Sequence, residues 1–197
     1  MRSLPAGWAS RQVLAVQISI DPLGTSAPGR CAVKAYIGID PGLAGAVARI
    51  DCMGIADVFD IPTVVVKGTR RDYLAHQFAT LVRTLSPNAV AVIEQPFAMP
   101  RQASNTTLLQ GRGYGLAEGI LVGCGVAYEA VAPARWKKAL SIPAGSDKGA
   151  SRVLASRLFP YLAPQLSRAR DDGRAEALLL AEYARRVFGE VRPSSET

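Results

Sequence analysis

Acidic residues stand directly after two apolar segments of this 197-residue chain. The run from Tyr36 to Ile39 ends at Asp40, and the run from Ala89 to Ile93 ends at Glu94. Short apolar runs of this kind predict buried strands, and neighbouring strands would bring the two carboxylates to one edge of a sheet. Carboxylates that close repel each other unless a cation lies between them. Each residue alone is also explained as a turn or strand end, so their joint placement is what predicts a site.

A third acidic group precedes the apolar stretch from residue 177 to residue 181. Asp172 and Glu176 are four residues apart, so they share one face if both lie in a helix. Acidic residues at a helix start also cap its free N–H groups and interact with its dipole, which accounts for Asp171 or Asp172. This explanation fits Glu176 poorly, because Glu176 opens an apolar face that should pack on the sheet. A carboxylate there needs a partner, and a metal ion would supply one.

Four carboxylates from three segments form the predicted catalytic and metal-binding set. Oxygen ligands of this kind suit Mg²⁺, and two ions about 4 Å apart can activate a water and stabilise a leaving oxygen in phosphodiester hydrolysis. His76 is the single histidine, which argues against a histidine pair or a Ser-His-Asp triad. Lys137 or Lys138 could contact a phosphate or the leaving group, although ordinary surface charge explains either lysine alone. The set comprises Asp40, Glu94, Asp172 and Glu176, with Asp171 as the alternative to Asp172.

The composition is that of a globular domain with a basic surface. Hydrophobic residues make up 49% of the chain and charged residues 20%, and the longest apolar runs are far shorter than the roughly 20 residues of a membrane span. Lys and Arg outnumber Asp and Glu by 23 to 16, giving a net charge of +7, which favours polyanions such as nucleic acid. The three cysteines show no CxxC spacing, which argues against a disulfide framework or a zinc site.

The hydrophobic patterns predict one α/β domain with a mixed sheet. Residues 44–50 and 58–61 predict strands that follow the first in an antiparallel meander, and residues 126–131 predict a last strand. Helices are predicted at residues 72–85, 108–122, 133–140, 148–159 and 174–188. Residues 1–34 are predicted to be a loosely ordered extension, with a transit peptide as the weaker alternative, residues 35–190 the domain and residues 191–197 a tail.

Three segments resemble motifs of RuvC-type Holliday junction resolvases, in the order in which that family carries them. Residues 36–42, Tyr-Ile-Gly-Ile-Asp-Pro-Gly, resemble the first strand motif, and residues 92–95, Val-Ile-Glu-Gln, resemble the second. Residues 171–179 resemble the third, which supplies the last acidic ligands. The first motif is shared with sugar kinases and actin-like ATPases, so the third motif behind the other two makes the resemblance specific.

The chloroplast branch of these resolvases resembles this chain most. That branch shares the core Gly-Arg-Ala-Glu-Ala-Leu-Leu of residues 173–179. Trp136-Lys137 and the segment from Ser151 to Pro160 are similar to it as well. The likeness extends over about residues 35–188.

The resemblance implies an RNase H-like fold, with a mixed five-stranded sheet flanked by helices. It implies a crossover junction endodeoxyribonuclease, a homodimer that nicks two strands of branched DNA symmetrically, with two Mg²⁺ or Mn²⁺ ions per active site and no membrane partner. Asp40, Glu94 and Glu176 correspond to metal ligands. The fourth ligand stays open between Asp172 and Asp171, because many relatives separate the last two acidic residues by three positions, where this chain has Gly173. A bacterial or phage protein of this kind would act in the cytoplasm or nucleoid, and an organelle would fit the chloroplast branch.

The segment after Glu94 is predicted to contact DNA. In the related resolvases the corresponding loop meets the junction centre. We expect Phe97 or Met99 to wedge between bases and the polar residues nearby to reach phosphates or base edges; an ordered surface loop is the alternative. Basic residues elsewhere could flank the carboxylates and contact phosphates. The predicted DNA-binding residues are Phe97, Met99, Arg101, Gln102, Asn105, Arg112, Lys137, Lys138, Lys148 and Arg152.

Two other functions fit parts of the pattern. A DNA-binding module of the same fold without cleavage would keep the basic surface, but the intact acidic set argues against it. An actin-like ATPase or small kinase shares the Gly-x-Asp-x-Gly start. Against it, the sequence has no second Gly-rich phosphate loop, and the acidic residues 172 and 176 would stay unexplained.

Overall fold

A computed structural model describes residue 33 and residues 35–97, 103–147 and 149–189. The strands are β1 (Ala35–Asp40), β2 (Ala46–Asp51), β3 (Ala56–Asp60), β4 (Thr63–Lys67), β5 (Arg70–Tyr73), β6 (Ala89–Glu94) and β7 (Ala127–Val131). The α-helices are α1 (Ala75–Leu85), α2 (Ser104–Gly123), α3 (Pro133–Ala139), α4 (Ala150–Leu158) and α5 (Asp172–Gly189), and short 3₁₀ helices cover Pro160–Leu166 and Ala169–Asp171.

Five strands form one mixed sheet in the order β3-β2-β1-β6-β7. The first three strands of the chain pair antiparallel, whereas β6 is parallel to β1 and β7 is parallel to β6. The predicted antiparallel meander and the mixed five-stranded sheet are therefore confirmed. In the register of β1 and β6, Ile39 lies opposite Ile93. The next residues along the two strands are Asp40 and Glu94, so both carboxylates come from the same edge of the sheet.

Helices cover both faces of the sheet, which explains why β1 and β6 are apolar throughout. Tyr36 and Val92 face the layer that contains α3, α4 and α5. Ile37, Ile39 and Ile93 face the opposite layer, which contains α1 and α2. The residue that ends each of these strands is only partly buried, and it is the point at which the apolar pattern gives way to a carboxylate.

The backbone of α5 lies directly against β1. A Cβ atom built on Gly38 would overlap the carbonyl oxygen of Ala177 and the amide nitrogen of Ala181. Any larger residue at position 38 would push the helix away from the strand. The glycine thus sets how closely the acidic first turns of α5 approach the end of β1.

Two boundaries differ from the sequence prediction. The helix expected from Asp72 begins at Ala75, because residues 63–73 form the β4–β5 hairpin, which was not predicted. Its valines, Val64 to Val66, are all exposed, so the hairpin lacks the alternation that marks a half-buried strand. Helix α2 begins at Ser104, whereas the sequence predicted a start at Leu108. The prediction missed the first turns because they are exposed and carry no apolar period.

The other predicted strands and helices are present with ends shifted by a few residues. The predicted tail at residues 191–197 lies outside the described residues, as does the extension at residues 1–34 apart from residue 33. In the part of the chain that the structure describes, none of the helices has both the length and the apolar composition needed to cross a bilayer.

Candidate active site

The carboxylates of Asp40 and Glu94 lie at neighbouring strand ends, and each is held by one hydrogen bond. The amide of Gly42 donates to Asp40 Oδ1 at 3.3 Å. The indole Nε1 of Trp136 donates to Glu94 Oε2 at 2.7 Å. Because Trp136 is fully buried on α3, its ring cannot move freely, and it fixes the orientation of the Glu94 carboxylate.

Asp172 and Glu176 lie one turn apart at the start of α5, and basic side chains hold both. Lys137 Nζ donates to Glu176 Oε1 at 2.8 Å, and the hydroxyl of Ser151 lies 3.5 Å from the same oxygen. Arg152 Nε donates to Asp172 Oδ1 at 2.7 Å. Both carboxylates line one open groove of about 890 Å³, so the predicted helical face does bring them together.

Three carboxylates of the site repel one another. Burial raises the pKa of Asp40 to about 7, and the charge of Glu176 adds to the effect. Burial also raises the pKa of Glu94 to about 7, reinforced by the charges of Glu176 and Asp40. The hydrogen bonds from Gly42 and Trp136 lower these pKa values only in part. The pKa values of the two strand-end carboxylates are thus raised first by burial and second by repulsion from neighbouring carboxylates.

Lys137 is the cation that interacts with all three carboxylates. Partial burial lowers the pKa of Lys137, but the hydrogen bond to Glu176 and the charges of Glu176, Glu94 and Asp40 outweigh it and raise the pKa above its ordinary value. The ammonium also lies 5.0 Å from the centroid of the Trp136 ring. Lys137 is thus shared among Asp40, Glu94 and Glu176 and pairs directly with Glu176.

The chemistry of this donor set fits a hard divalent cation. Mg²⁺ prefers carboxylate oxygens, and a cation beside Asp40 and Glu94 would offset the burial and the mutual repulsion that raise their pKa values. Within residues 35–97, 103–147 and 149–189, no three acidic, histidine or cysteine side chains are already gathered into a ligand shell. Lys137 and Arg152 hold the two carboxylates of α5 instead. Ion binding by the full set would require these two pairs to open.

The two candidates for the fourth acidic residue, Asp171 and Asp172, lie in different surroundings. Asp171 is buried and accepts hydrogen bonds from the amide, Nε and Nη2 of Arg168 at 2.9, 3.1 and 3.0 Å. These contacts close the turn that precedes α5. Asp172 instead lies in the groove with Glu176. Asp172 is therefore the better placed of the two for a ligand.

Gly173 stands between these two aspartates and the end of β1. A Cβ atom built on it would overlap the carbonyl oxygen of Ala44 and lie 3.0 Å from Oδ2 of Asp40. A carboxylate-bearing residue at this position would displace the turn between β1 and β2. The glycine is explained by this close approach, and the acidic residue comes one position earlier, at Asp172.

The predicted DNA-binding residues fall into three groups. The exposed group carries no ion pair within the described ranges and comprises Phe97, Asn105 and Lys138. The second group is paired with carboxylates: Arg112 with Asp72 at 2.7 Å, Lys137 with Glu176 and Arg152 with Asp172. The third group, Met99, Arg101, Gln102 and Lys148, lies outside the described residues.

Two polar contacts to the carboxylates were not predicted from the sequence. They are the indole of Trp136 on Glu94 and the buried hydroxyl of Ser151 near Glu176. Residues 94 and 136 are 42 positions apart, and no periodicity links them. The only signal was the tryptophan next to Lys137, in a segment where an indole could also have been ordinary core.

This chain is similar to known proteins over one short segment of its sequence and in its fold. No family model matches the chain. A stretch of 66 residues is 39% identical to the chloroplastic Holliday junction resolvase MOC1 of Chlamydomonas reinhardtii; it covers 34% of this chain and only 8% of that protein.

The structure of T. thermophilus RuvC in complex with a Holliday junction substrate matches 79% of this chain and 94% of its own, with a TM-score of 0.51 and 17% identity. A second structure, of Thermus thermophilus RuvC, matches 79% of this chain and 96% of its own at 17% identity, with a TM-score of 0.46. The first of these matches shows that the fold is RNase H-like, as predicted. The chain thus resembles RuvC-type resolvases in its fold and in a short part of its sequence.

Proposed function

We propose that this chain is a divalent-metal-dependent endonuclease that cuts four-way DNA junctions by hydrolysing phosphodiester bonds. One arrangement carries the proposal: Asp40 and Glu94 end neighbouring strands, and the charge of Glu176 from α5 acts on both of them. Burial first and this repulsion second raise the pKa values of Asp40 and Glu94 to about 7, and a divalent cation bound by these oxygens would favour their charged forms. The net charge of +7 favours a polyanionic substrate, and the resemblance to resolvases narrows that substrate to branched DNA.

The four carboxylates Asp40, Glu94, Asp172 and Glu176 would hold two Mg²⁺ or Mn²⁺ ions. Ions bound there would supply an activated water and stabilise the leaving oxygen. The hydrogen bond from the indole of Trp136 would hold the Glu94 carboxylate in one orientation for this role.

Lys137 has a second role in this proposal. Its ammonium is 2.8 Å from Glu176 and is fully protonated at neutral pH, because the carboxylates raise its pKa. Once ions neutralise Glu176, the flexible side chain is free to turn to a phosphate oxygen. Lys137 is therefore our candidate for the lysine that contacts the scissile phosphate, and Lys138, which is exposed on the same helix, for a contact with the neighbouring backbone.

The DNA is proposed to lie over the end of β6 and the start of α2. Phe97 follows Glu94 by three residues and is 69% exposed, which suits a side chain that stacks on or wedges between bases. Asn105 is exposed on the first turn of α2 and could reach a base edge or phosphate. Arg112 and Arg152 would have to leave Asp72 and Asp172 before they contact phosphates. Met99, Arg101, Gln102 and Lys148 keep their proposed DNA contacts as predictions.

A homodimer is also proposed, because symmetric nicking needs two sites across one junction. One face of α2 supports it: Gly111, Gly115 and Gly119 have open space where a side chain would stand, and Leu108 and Val122 are exposed. Small residues four apart let a second helix approach closely. Light scattering should give twice the chain mass, and Gly115→Leu should shift it to the monomer; a wild-type monomer at high concentration contradicts the dimer.

One cleavage experiment tests the function. A labelled four-way junction, a linear duplex and a flap are incubated with the protein, with and without Mg²⁺, beside Asp40→Asn and the matched control Asp57→Asn, an exposed aspartate of β3. We expect paired symmetric nicks in the junction that need the metal, persist in Asp57→Asn and disappear in Asp40→Asn.

The other outcomes separate the alternatives. Tight binding of the junction with no nicking under Mg²⁺ or Mn²⁺ would identify a binding module and reject the nuclease. Equal cutting of the linear duplex would reject selectivity for junctions.

A further inference from the structure

A second charged cavity, of about 280 Å³, lies against the turn between β1 and β2. Ala44 and Gly45 of that turn form one wall. Ala44 is also near the candidate active site, because a Cβ atom built on Gly173 would overlap the Ala44 carbonyl oxygen and lie 3.0 Å from Asp40 Oδ2. We call it the arginine pocket; its charged residues are Asp60, Arg71, Arg168, Arg170, Asp171 and Arg174.

Two of the four arginines in the pocket form ion pairs with the two aspartates of the same pocket. Arg174 forms a bidentate pair with Asp60, with both N–O distances at 2.6 Å. Arg168 pairs with the buried Asp171 through two nitrogens. These contacts link α5 to β3 and close the turn before α5, so they account for four of the six charges.

The remaining two arginines are Arg71, whose charge helps to lower the pKa of Asp60, and Arg170. Arg71 donates a hydrogen bond to the hydroxyl of Thr63, and within the described ranges no ion pair involves Arg71 or Arg170. Both side chains are exposed at the rim. The pocket thus has two more positive than negative charges, and the guanidinium group of Arg170 makes no hydrogen bond to another described residue.

An anion with several oxygen atoms would neutralise the excess positive charge of the pocket better than any carboxylate within the described residues. Guanidinium groups donate paired hydrogen bonds to phosphate, which suits two arginines from different elements. On this basis we propose that the arginine pocket binds one backbone phosphate of the DNA strand, away from the scissile phosphate and across the β1–β2 turn from it. The proposal deepens the proposed function and rests on it for the identity of the ligand.

The test is metal-free binding of a four-way junction over a series of salt concentrations. The double variant Arg71→Gln/Arg170→Gln is compared with Arg83→Gln, a matched exposed arginine on the last turn of α1. We expect the double variant to bind about tenfold more weakly and to lose about 0.9 from the slope of log K against log salt, which is one phosphate contact. A double variant with the affinity and slope of Arg83→Gln would overturn the proposal.

A second variant is expected to change junction binding in the opposite direction. Asp60→Asn removes an exposed negative charge and frees Arg174, so it should bind the junction about threefold more tightly with a steeper salt slope. Weaker binding by this variant would show that the Asp60–Arg174 pair is purely structural and would overturn the pocket. Inorganic phosphate is the second probe: if it raises the melting temperature through these arginines while junction binding is unaffected, the ligand is free phosphate and the DNA assignment is wrong.

These readouts are independent of cleavage. A protein that binds the junction with the predicted dependence on Arg71 and Arg170 but never nicks it would keep the pocket and lose the nuclease. A protein that nicks the junction while the double variant behaves as Arg83→Gln would keep the nuclease and lose the pocket.

Discussion

Two groups of carboxylates in this protein lie in opposite electrostatic environments. Asp40 and Glu94 are partly buried at the strand ends, and their pKa values are raised to about 7. Asp171 and Glu182 are almost fully buried, with 3% exposure each, and yet their pKa values are lowered. Low solvent exposure by itself therefore does not fix the direction of the shift, although burial is the largest cause of the raised pKa values of Asp40 and Glu94.

The difference is in the cations that each group has. Burial would raise the pKa of Glu182, but the hydrogen bonds and charges of Arg185 and Arg186 outweigh it. Glu182 thus has two arginines within 2.9 Å, whereas the two strand-end carboxylates share Lys137 with Glu176 of α5. In this protein the two strand-end carboxylates of the candidate site have raised pKa values and share one lysine, whereas the structural carboxylates have lowered pKa values and arginine partners of their own.

The largest effect, on junction cleavage, is expected from a change in the first group of carboxylates, Asp40 and Glu94. Asp40→Asn should lower junction cleavage on the order of 10³-fold, about 4 kcal/mol in the activation free energy, because it removes a charged oxygen ligand without changing the shape of the side chain. Single-turnover rates with excess protein measure it. Glu182→Gln is the contrast and should cleave at the wild-type rate below its unfolding temperature; equal losses in both variants would erase the distinction.

A substitution in the second group of carboxylates, Asp171 and Glu182, should lower the stability of the fold and leave cleavage unchanged. Glu182→Gln leaves two arginines without their carboxylate and should lower the free energy of unfolding by about 3 kcal/mol, which for a chain of this length is a decrease of about 6–12 °C in melting temperature. Thermal denaturation followed by circular dichroism provides the measurement. A melting temperature within 1 °C or so of wild type would mean that the buried ion pairs contribute nothing, as exposed pairs often do.

The two groups should also respond oppositely to pH. Asp40 and Glu94 have pKa values above their ordinary 3.8 and 4.5, so the folded protein binds these protons more tightly than the unfolded chain. The stability they contribute is present below about pH 4 and is lost as pH rises towards 7. Groups with lowered pKa values, such as Glu182, lose stability as pH falls.

Measurements on the metal-free protein isolate the first effect. The difference in unfolding free energy between Asp40→Asn and wild type should grow between pH 4 and pH 7, to about 2 kcal/mol in favour of the variant once solvent screening is allowed for. If the proposed metal site is correct, Mg²⁺ should reverse the difference at pH 7, because only wild type would retain all four proposed ligands. A difference that stays constant across the range would contradict the raised pKa of Asp40.

The smallest effect is expected from the group that positions Glu94. Trp136→Phe keeps an aromatic ring in the core but removes the N–H that donates to Glu94, so cleavage should fall about tenfold and half-maximal activity should need more Mg²⁺. Leu140→Val, a buried neighbour on the same layer, controls for packing. A loss in Trp136→Phe that excess Mg²⁺ cannot reduce, matched in Leu140→Val, would assign the tryptophan to packing alone.

Local sequence patterns determined most of the fold. Continuous apolar runs predicted β1 and β6 together with the carboxylates that end them, because a strand covered on both faces must be apolar along its whole length. The spacing of Asp172 and Glu176 predicted their common helical face for the same local reason. The β4–β5 hairpin escaped prediction since its exposed Val64 to Val66 do not alternate with polar residues.

Only the tertiary structure decided which of these carboxylates are satisfied and which are not. Asp171 and Asp172 are adjacent in sequence, but the turn before α5 directs one to Arg168 and the other into the groove with Glu176. Likewise, Trp136 reaches Glu94 from 42 positions away. Sequence periodicity reports the face on which a residue lies. The partners that neutralise a charge come from other elements, and only the packing of those elements brings them within hydrogen-bond distance.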